Sequence, residues 1–307
     1  MMTVHFNPLS STSRQSAQSQ SRLQYALAWK QRKLVVQCVK QSDAIPLPPL
    51  INVPRVVACL QRSPVKLVKL DPALGEEQLH LWANACQQAQ KPAFLSLPAV
   101  QASPKKHQPV RWRLKRLFDQ CMAAFLLLLL SPLLLLIMLL VWRYIPGSLF
   151  VKEWRIGERG KLFQMFRFRT TVGHPDKLLY QWLSRQTTHS FHLKASQVNF
   201  LGHCLQRYSL DELPQLLNVL RGEMSLVGLR PLPFDEAVQI PPELQQRLNA
   251  LPGMTGIWQI GGRPKRVALN ELVSGADLTY MQRVSLRQDL TFLLLTIPRV
   301  LAGATVH

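Results

Sequence analysis

Two acids side by side, Asp211 and Glu212, stand in the densest run of reactive chemistry in the chain: Arg207-Tyr-Ser-Leu-Asp211-Glu212-Leu-Pro214-Gln-Leu-Leu-Asn-Val-Leu-Arg221-Gly222. Leu213, Leu216, Leu217 and Leu220 recur at helical spacing, and Gly222 suits the end of that helix. A capping box from Ser209 to Glu212 is the plain explanation of the acids. Pro214 opposes it. In that register Pro214 falls in the fifth helical position, where its missing N–H and its ring disturb the turn. The helix is therefore expected to begin at about Asp211 to Leu213. Both carboxylates then lie among the N–H groups of a helix N-terminus, which also attract phosphate. A plain N-cap Asp stays open as the alternative.

The rest of the chain must position this pair. Its 307 residues allow one large or two modest domains, and the formal charge of +20 asks for an anionic partner: nucleic acid, an acidic membrane surface or a phosphorylated substrate. Five cysteines lie far apart with no Cys-x-x-Cys, which argues against a zinc site and against a disulfide framework, and suggests a reducing compartment. Nothing before residue 30 has a secretory apolar core, so no cleaved leader is expected. Residues 1–24, rich in Ser and Gln, read as a disordered tail. Residues 25–100 read as a small α/β domain, with strands at Leu34–Val39, Val65–Leu70 and Ala93–Leu97. A helix after Asp71-Pro72 aligns Leu79, Trp82, Cys86 and Ala89 on one face. This domain has no Gly-rich phosphate loop, so packing or docking is its plainer role.

Residues 101–116 form a basic linker, and residues 117–142 carry a membrane helix whose apolar block runs from Cys121 to Trp142. Its 22 residues match the roughly 20 that span a hydrocarbon core. Both flanks are basic, whereas positive charge normally marks only the cytoplasmic end. Ser131-Pro132 sits at the midpoint, where Pro removes a helical hydrogen bond. A helix that kinks there and returns to the same face satisfies both features, with Ser131 bonding the carbonyl that Pro132 frees. A spanning helix satisfies the length equally. Residues 143–307 make the remaining unit, ending in the Leu-rich, amphipathic Ser285–Leu301, which suits a membrane interface or a core.

Several ordered motifs over residues 111–303 resemble the polyprenyl-phosphate glycosylphosphotransferases, the bacterial sugar transferases. They are Lys115-Arg116-Leu-Phe-Asp119, Ser131-Pro132, Arg155-Ile-Gly157 through Gly160-Lys161 to Arg167-Phe-Arg169-Thr170, Ser209-Leu-Asp211-Glu212-Leu-Pro214-Gln215, Gly222-Glu-Met-Ser-Leu-Val-Gly228, Arg230-Pro231 and Pro252-Gly-Met-Thr-Gly256. Asp277, Tyr280, Ser285 and Asp289 fit the closing pattern. The resemblance implies a membrane-associated α+β fold. A re-entrant kinked helix would lead into a small catalytic domain on the cytoplasmic face of the inner membrane, preceded by the small α/β domain. It implies transfer of sugar-1-phosphate from a UDP-sugar to undecaprenyl phosphate with release of UMP, at the start of exopolysaccharide, capsule or envelope polysaccharide assembly. Asp211 would be the nucleophile, and Glu212 would assist it or help hold Mg²⁺, with Mn²⁺ as a substitute. Arg230, Arg169, Arg207 and Arg263 would bind substrate phosphates. Polysaccharide-assembly proteins or further copies of the chain are candidate partners.

Three departures from the family pattern accompany these motifs. Gln206 stands where an Arg is usual, Leu229 replaces the first Pro of Pro-Arg-Pro, and Ala195–Phe200 lacks an Asp-Pro-Arg-x-Thr segment. Losing one charged phosphate contact costs about 1.5–3 kcal/mol, which weakens an enzyme without abolishing it. A non-catalytic membrane scaffold is the rival reading, disfavoured by the intact acidic pair. A nucleic-acid binder, suggested only by the charge, is the second rival, disfavoured by the lack of any helix-turn-helix, zinc-finger or aromatic RNA-binding signature.

Overall fold

The computed structural model describes residues 25–38, 53–97, 109–172, 197–198, 200–240, 248, 250–256 and 286–301. The fold is mixed α+β. The chain divides into two compact units: Met1–Ala99 with Trp154–Phe163 and Leu232–Asn249, and Val100–Glu153 with Gln164–Pro231 and Ala250–His307.

In the first unit, β1 (Tyr25–Lys30) and β2 (Lys33–Cys38) form an antiparallel hairpin, and β3 (Leu67–Leu70) and β4 (Ala93–Leu95) continue the sheet in parallel, in the order β1-β2-β3-β4. The hairpin turns on Gln31 and Arg32, both at positive φ, as a two-residue turn between twisted strands requires. Helices α1 (Val53–Arg62) and α2 (Glu76–Gln88) pack together. Leu79, Trp82, Cys86 and Ala89 are all buried, as their helical spacing predicts. Burial pushes the Cys86 thiol up to about 12. The helix starts at Glu76 rather than at Asp71, because a 3₁₀ turn over Pro72–Leu74 and Gly75 at φ +80° intervene. Read in sequence as part of one unit over 143–307, two later segments complete this core: Ile156, Leu162, Leu232, Phe234 and Ile240 are buried with it. Trp154 donates its Nε1–H to Asn84 at 2.8 Å and stacks on Phe234, and Ile156 N–H donates to Leu232 O at 3.1 Å.

The second unit opens with α3 (Pro109–Leu129) and α4 (Ser131–Tyr144). Among the described residues no single helix is long and apolar enough to cross a membrane, but this pair is when taken together, and it bends by 64° at Leu130. The bend has a local cause. Pro132 releases the carbonyl of Leu128, and Ser131 Oγ donates to that oxygen at 2.7 Å. Leu117, Phe125, Leu128, Leu135, Leu139 and Trp142 are exposed along the pair, while Ile137, Val141 and Ile145 turn inward to Phe168 and Leu205.

The stretch read as a linker is helical from Pro109, and its residue Lys115 explains why. Lys115 is buried, with Nζ 2.6 Å from Asp289 Oδ2, 3.5 Å from Asp119 Oδ2 and 3.2 Å from Val227 O. Ser225 Oγ donates to Asp119 Oδ2 and lies 2.9 Å from Val227 O. One buried polar cluster thus joins the base of α3, strand Ser225–Val227 and the C-terminal helix Leu286–Leu301. That helix buries Asp289 and Thr296 and leaves Leu290, Leu294 and Leu295 exposed. Strand Ser225–Val227 runs parallel to Gly253–Thr255, and a Cβ on Gly253 would collide with the backbone of Gly228. Strands Phe150–Ile156 and Leu162–Phe168 pair with each other.

Candidate active site

Helix Phe200–Arg207 leads to the acidic pair and ends just before a reversal. Ser209 takes the left-handed conformation, at φ +52° and ψ +24°, and makes no side-chain cap bond. The capping box is therefore absent, as Pro214 implies. A 3₁₀ turn over Leu210–Glu212 follows, with Glu212 N–H donating to Ser209 O at 3.2 Å and Leu213 N–H to Leu210 O at 3.3 Å. Helix Gln215–Leu220 comes only after Pro214, later than the sequence suggests, and Gly222 at φ +74° closes it. The acids thus sit on a tight turn ahead of a short helix, and the Glu212 and Leu213 amides are taken up within that turn.

Asp211 is 3% exposed and Glu212 8%. Two buried adjacent carboxylates need a compensating cation. Arg167 provides it: its Nη2 lies 2.6 Å from Glu212 Oε1 and 3.4 Å from Asp211 Oδ2. Arg167 stands on strand Leu162–Phe168, whose position relative to the pair is set by Asn218. The fully buried Asn218 accepts from Phe166 N–H at 3.1 Å, and donates to Gln164 O at 2.7 Å and to Glu223 Oε2 at 2.8 Å. Sequence reading assigned neither residue a role at the pair. Strand alternation would group Arg167 with Arg169, but the strand ends at Phe168 and the two part company.

Arg169 is buried and donates from Nη1 to Pro146 O at 3.0 Å. Gly147, at φ +114°, leaves room for that guanidinium, which a Cβ there would strike. Arg169 therefore holds the segment leaving α4. Gln206 donates to Thr170 Oγ1 at 2.9 Å. Arg207 is exposed beside Tyr208, its guanidinium 6.0 Å from that ring's centroid. Arg230 is half-buried next to Leu229, which bridges to Pro252. Arg263, Asp277, Tyr280 and Ser285 lie outside the described residues, as do Ala195, Ser196 and Asn199 of the Ala195–Phe200 segment.

Chemically, the turn offers two hard oxygen donors side by side. Such a pair matches Mg²⁺, which takes one or two protein carboxylates and fills its shell with water and substrate phosphate. Among the described residues no group of three or more His, Cys, Asp or Glu forms a self-sufficient metal site.

The family model for bacterial sugar transferases matches residues 110–303, more than half of the chain. The exopolysaccharide production protein ExoY of Sinorhizobium fredii is 38% identical over 206 residues, covering 63% of this chain and 88% of that protein. The UDP-glucose:undecaprenyl-phosphate glucose-1-phosphate transferase of Caulobacter vibrioides is 37% identical over 193 residues, 61% of this chain and 69% of that one. The undecaprenyl-phosphate galactose phosphotransferase of Salmonella typhimurium is 37% identical over 160 residues, 49% of this chain and 33% of that one. With the acidic turn, the bent apolar helices and this match in place, the chain belongs to the bacterial sugar transferase family and is a sugar-1-phosphate transferase by class.

Proposed function

We propose that the protein transfers a sugar-1-phosphate from a UDP-sugar to undecaprenyl phosphate, releasing UMP, as the opening step of exopolysaccharide assembly. One observation carries the reading: in a chain of this family, Asp211 and Glu212 are buried side by side with one guanidinium on both. A carboxylate is a competent phosphoryl acceptor, and it divides one difficult transfer into two. Asp211 attacks the sugar-linked phosphorus, and the bond from that phosphorus to the UMP oxygen breaks with its electron pair leaving on UMP. A phosphate oxygen of the polyprenyl carrier then attacks the same phosphorus. The bond to Asp211 breaks, its carboxylate is restored, and no water is consumed. Glu212 keeps the second negative charge beside the nucleophile, and Arg207, Arg230 and Arg263 are assigned to the substrate phosphates. Mg²⁺ held by Asp211 and Glu212 would neutralise diphosphate charge when bound.

Membranes carrying the protein, given labelled UDP-sugars and undecaprenyl phosphate, are expected to yield a labelled lipid and UMP. Excess EDTA is expected to stop this turnover. A purified protein that consumes none of a UDP-sugar panel, with or without Mg²⁺, would falsify the reading.

The lipid carrier places the reaction at a membrane, and the exposed apolar side chains of α3 and α4 supply the contact. With basic residues on both flanks and a 64° bend between, the pair enters and leaves on the cytoplasmic face. The exposed leucines of Leu286–Leu301 lie in the interface beside it. Single cysteines at Arg113 and at Ser148, on a cysteine-free background, are expected to resist an impermeant thiol reagent in intact cells equally. Labelling of only one from outside would show that the helices span. Pro132→Leu restores the missing backbone donor, and is expected to straighten the pair and lower activity.

A further inference from the structure

Strand Leu162–Phe168 sends Arg167 to the acids on one face, so by alternation Phe166 and Phe168 lie on the other. On that second face Phe168 stacks on Phe150 and is buried with Ile137 and Val141 of α4. One step along the same face, about 7 Å by strand rise, comes the half-buried Phe166, between two exposed cations. The Arg221 guanidinium carbon lies 4.9 Å from its ring centroid and Lys152 Nζ 5.8 Å from it. Among the described residues neither cation forms an ion pair. A ring attracts cations but offers no lone pair, so the N–H groups of both stay open to an anion. The patch is level with the base of the apolar helices. Gln120, which directly precedes the apolar block, donates from Nε2 to Leu220 O at 3.3 Å, next to Arg221. Leu217 and Leu220 are exposed on helix Gln215–Leu220, and α3, against which that helix packs, exposes Leu114 and Leu117. Cations gathered on a ring at the edge of an exposed apolar surface complement a lipid headgroup, phosphate to the charges and acyl chain to the leucines.

We propose that Arg221 and Lys152, gathered on Phe166, bind the phosphate of an anionic phospholipid of the bilayer, with Leu217 and Leu220 against its acyl chains. This rests on the membrane placement of α3 and α4 given above. The lipid held here is not the acceptor, because Arg167 and the two acids lie on the opposite face of the same strand. Its part is to set the level of the catalytic turn against the headgroups. Asn218 transmits that level: it accepts from Phe166 N–H at 3.1 Å, and it belongs to the helix that follows the acids.

The test places the full chain in nanodiscs of equal phosphatidylglycerol and phosphatidylcholine and counts the lipids retained per protein by native mass spectrometry. The wild type is expected to retain phosphatidylglycerol over phosphatidylcholine by about tenfold. Arg221→Gln combined with Lys152→Gln is expected to lower that preference to about twofold or less. Arg111→Gln combined with Arg113→Gln removes the same charge from the exposed start of α3, and is expected to leave a preference above about fivefold. Equal losses in the two double variants would reduce the effect to diffuse charge and overturn the site. So would a wild type that floats with vesicles of both lipids but prefers neither, which leaves the membrane placement standing. Displacement of the retained phosphatidylglycerol by UMP or inorganic phosphate at fixed ionic strength would assign the cations to a soluble phosphate instead. A wild type that floats with neither vesicle overturns the membrane placement, and this site with it. Should the Arg221, Lys152 double variant unfold, Arg221→Gln alone decides, with an expected loss of about threefold.

Discussion

Asp211→Asn is expected to abolish the covalent phospho-sugar and lower turnover by at least about a thousandfold, since a carboxamide cannot serve as the phosphoryl acceptor. The substitution is nearly isosteric, so the 3₁₀ turn at Leu210–Glu212 keeps its backbone bonds. What it loses is charge: the 3.4 Å contact with Arg167 Nη2 becomes neutral, while the 2.6 Å bond to Glu212 persists. The variant should therefore fold and bind membranes as the wild type does. Incubated with UDP-sugar alone, the wild type should release one UMP per active site before any lipid is added, and Asp211→Asn should release none. Glu212→Gln should turn over slowly yet still accumulate adduct, because the Asp211 carboxylate is retained beside Arg167. A near-normal rate in Asp211→Asn would remove Asp211 from the mechanism and return the scaffold reading to favour.

Lys115→Met is expected to have the largest effect on stability, roughly 3–5 kcal/mol, because removing one partner of a buried ion pair leaves the others uncompensated. Lys115, Asp119 and Asp289 are 5%, 2% and 2% exposed, so solvent cannot relieve the two stranded carboxylates. The pair with Asp119 is an i,i+4 contact with the lysine first, the weaker order for supporting a helix. Its value is tertiary. It ties α3 to Ser225 and, through Asp289, to the C-terminal helix. Asp289→Asn keeps the Lys115–Asp119 contact and should cost less. Thermal unfolding in a fixed detergent should rank wild type above Asp289→Asn, and Asp289→Asn above Lys115→Met. Equal midpoints for all three would show that the cluster contributes nothing net.

Much of this arrangement was legible in residue order. The break at Ser131-Pro132 and the buried face of Leu79, Trp82 and Cys86 follow from one-dimensional rules, a missing N–H and a helical period. Pro214 likewise ruled out the capping box, although the 3₁₀ turn that took its place was not foreseen. Helix Val53–Arg62 was missed although Val53, Val56, Val57 and Leu60 follow helical spacing. It adjoins a proline-rich run, and Pro54 near its start is a position a first turn tolerates. Arg167 was harder to see. Two arginines flank Phe168, and only the point where the strand ends decides which reaches the acids and which turns to Pro146. Such choices depend on contacts between residues 45 positions apart, which no local pattern encodes.

The interrupted make-up of the first unit dictates an order of events during synthesis. Its core includes Phe234, Ala237 and Ile240, which leave the ribosome after the whole apolar pair α3–α4 and the acidic turn. Domains ordinarily fold from the N-terminus as they emerge. Here the four-stranded sheet can form early, but the face of α2 bearing His80 waits for Phe234, made some 150 residues later. In the membrane arrangement proposed above, the bent helices reach the lipid while the N-terminal core is still open. In that arrangement, translation that stalls between Tyr144 and Leu232 would leave a nascent chain moored to the bilayer with a hydrophobic surface uncovered, the kind of intermediate on which chaperones act.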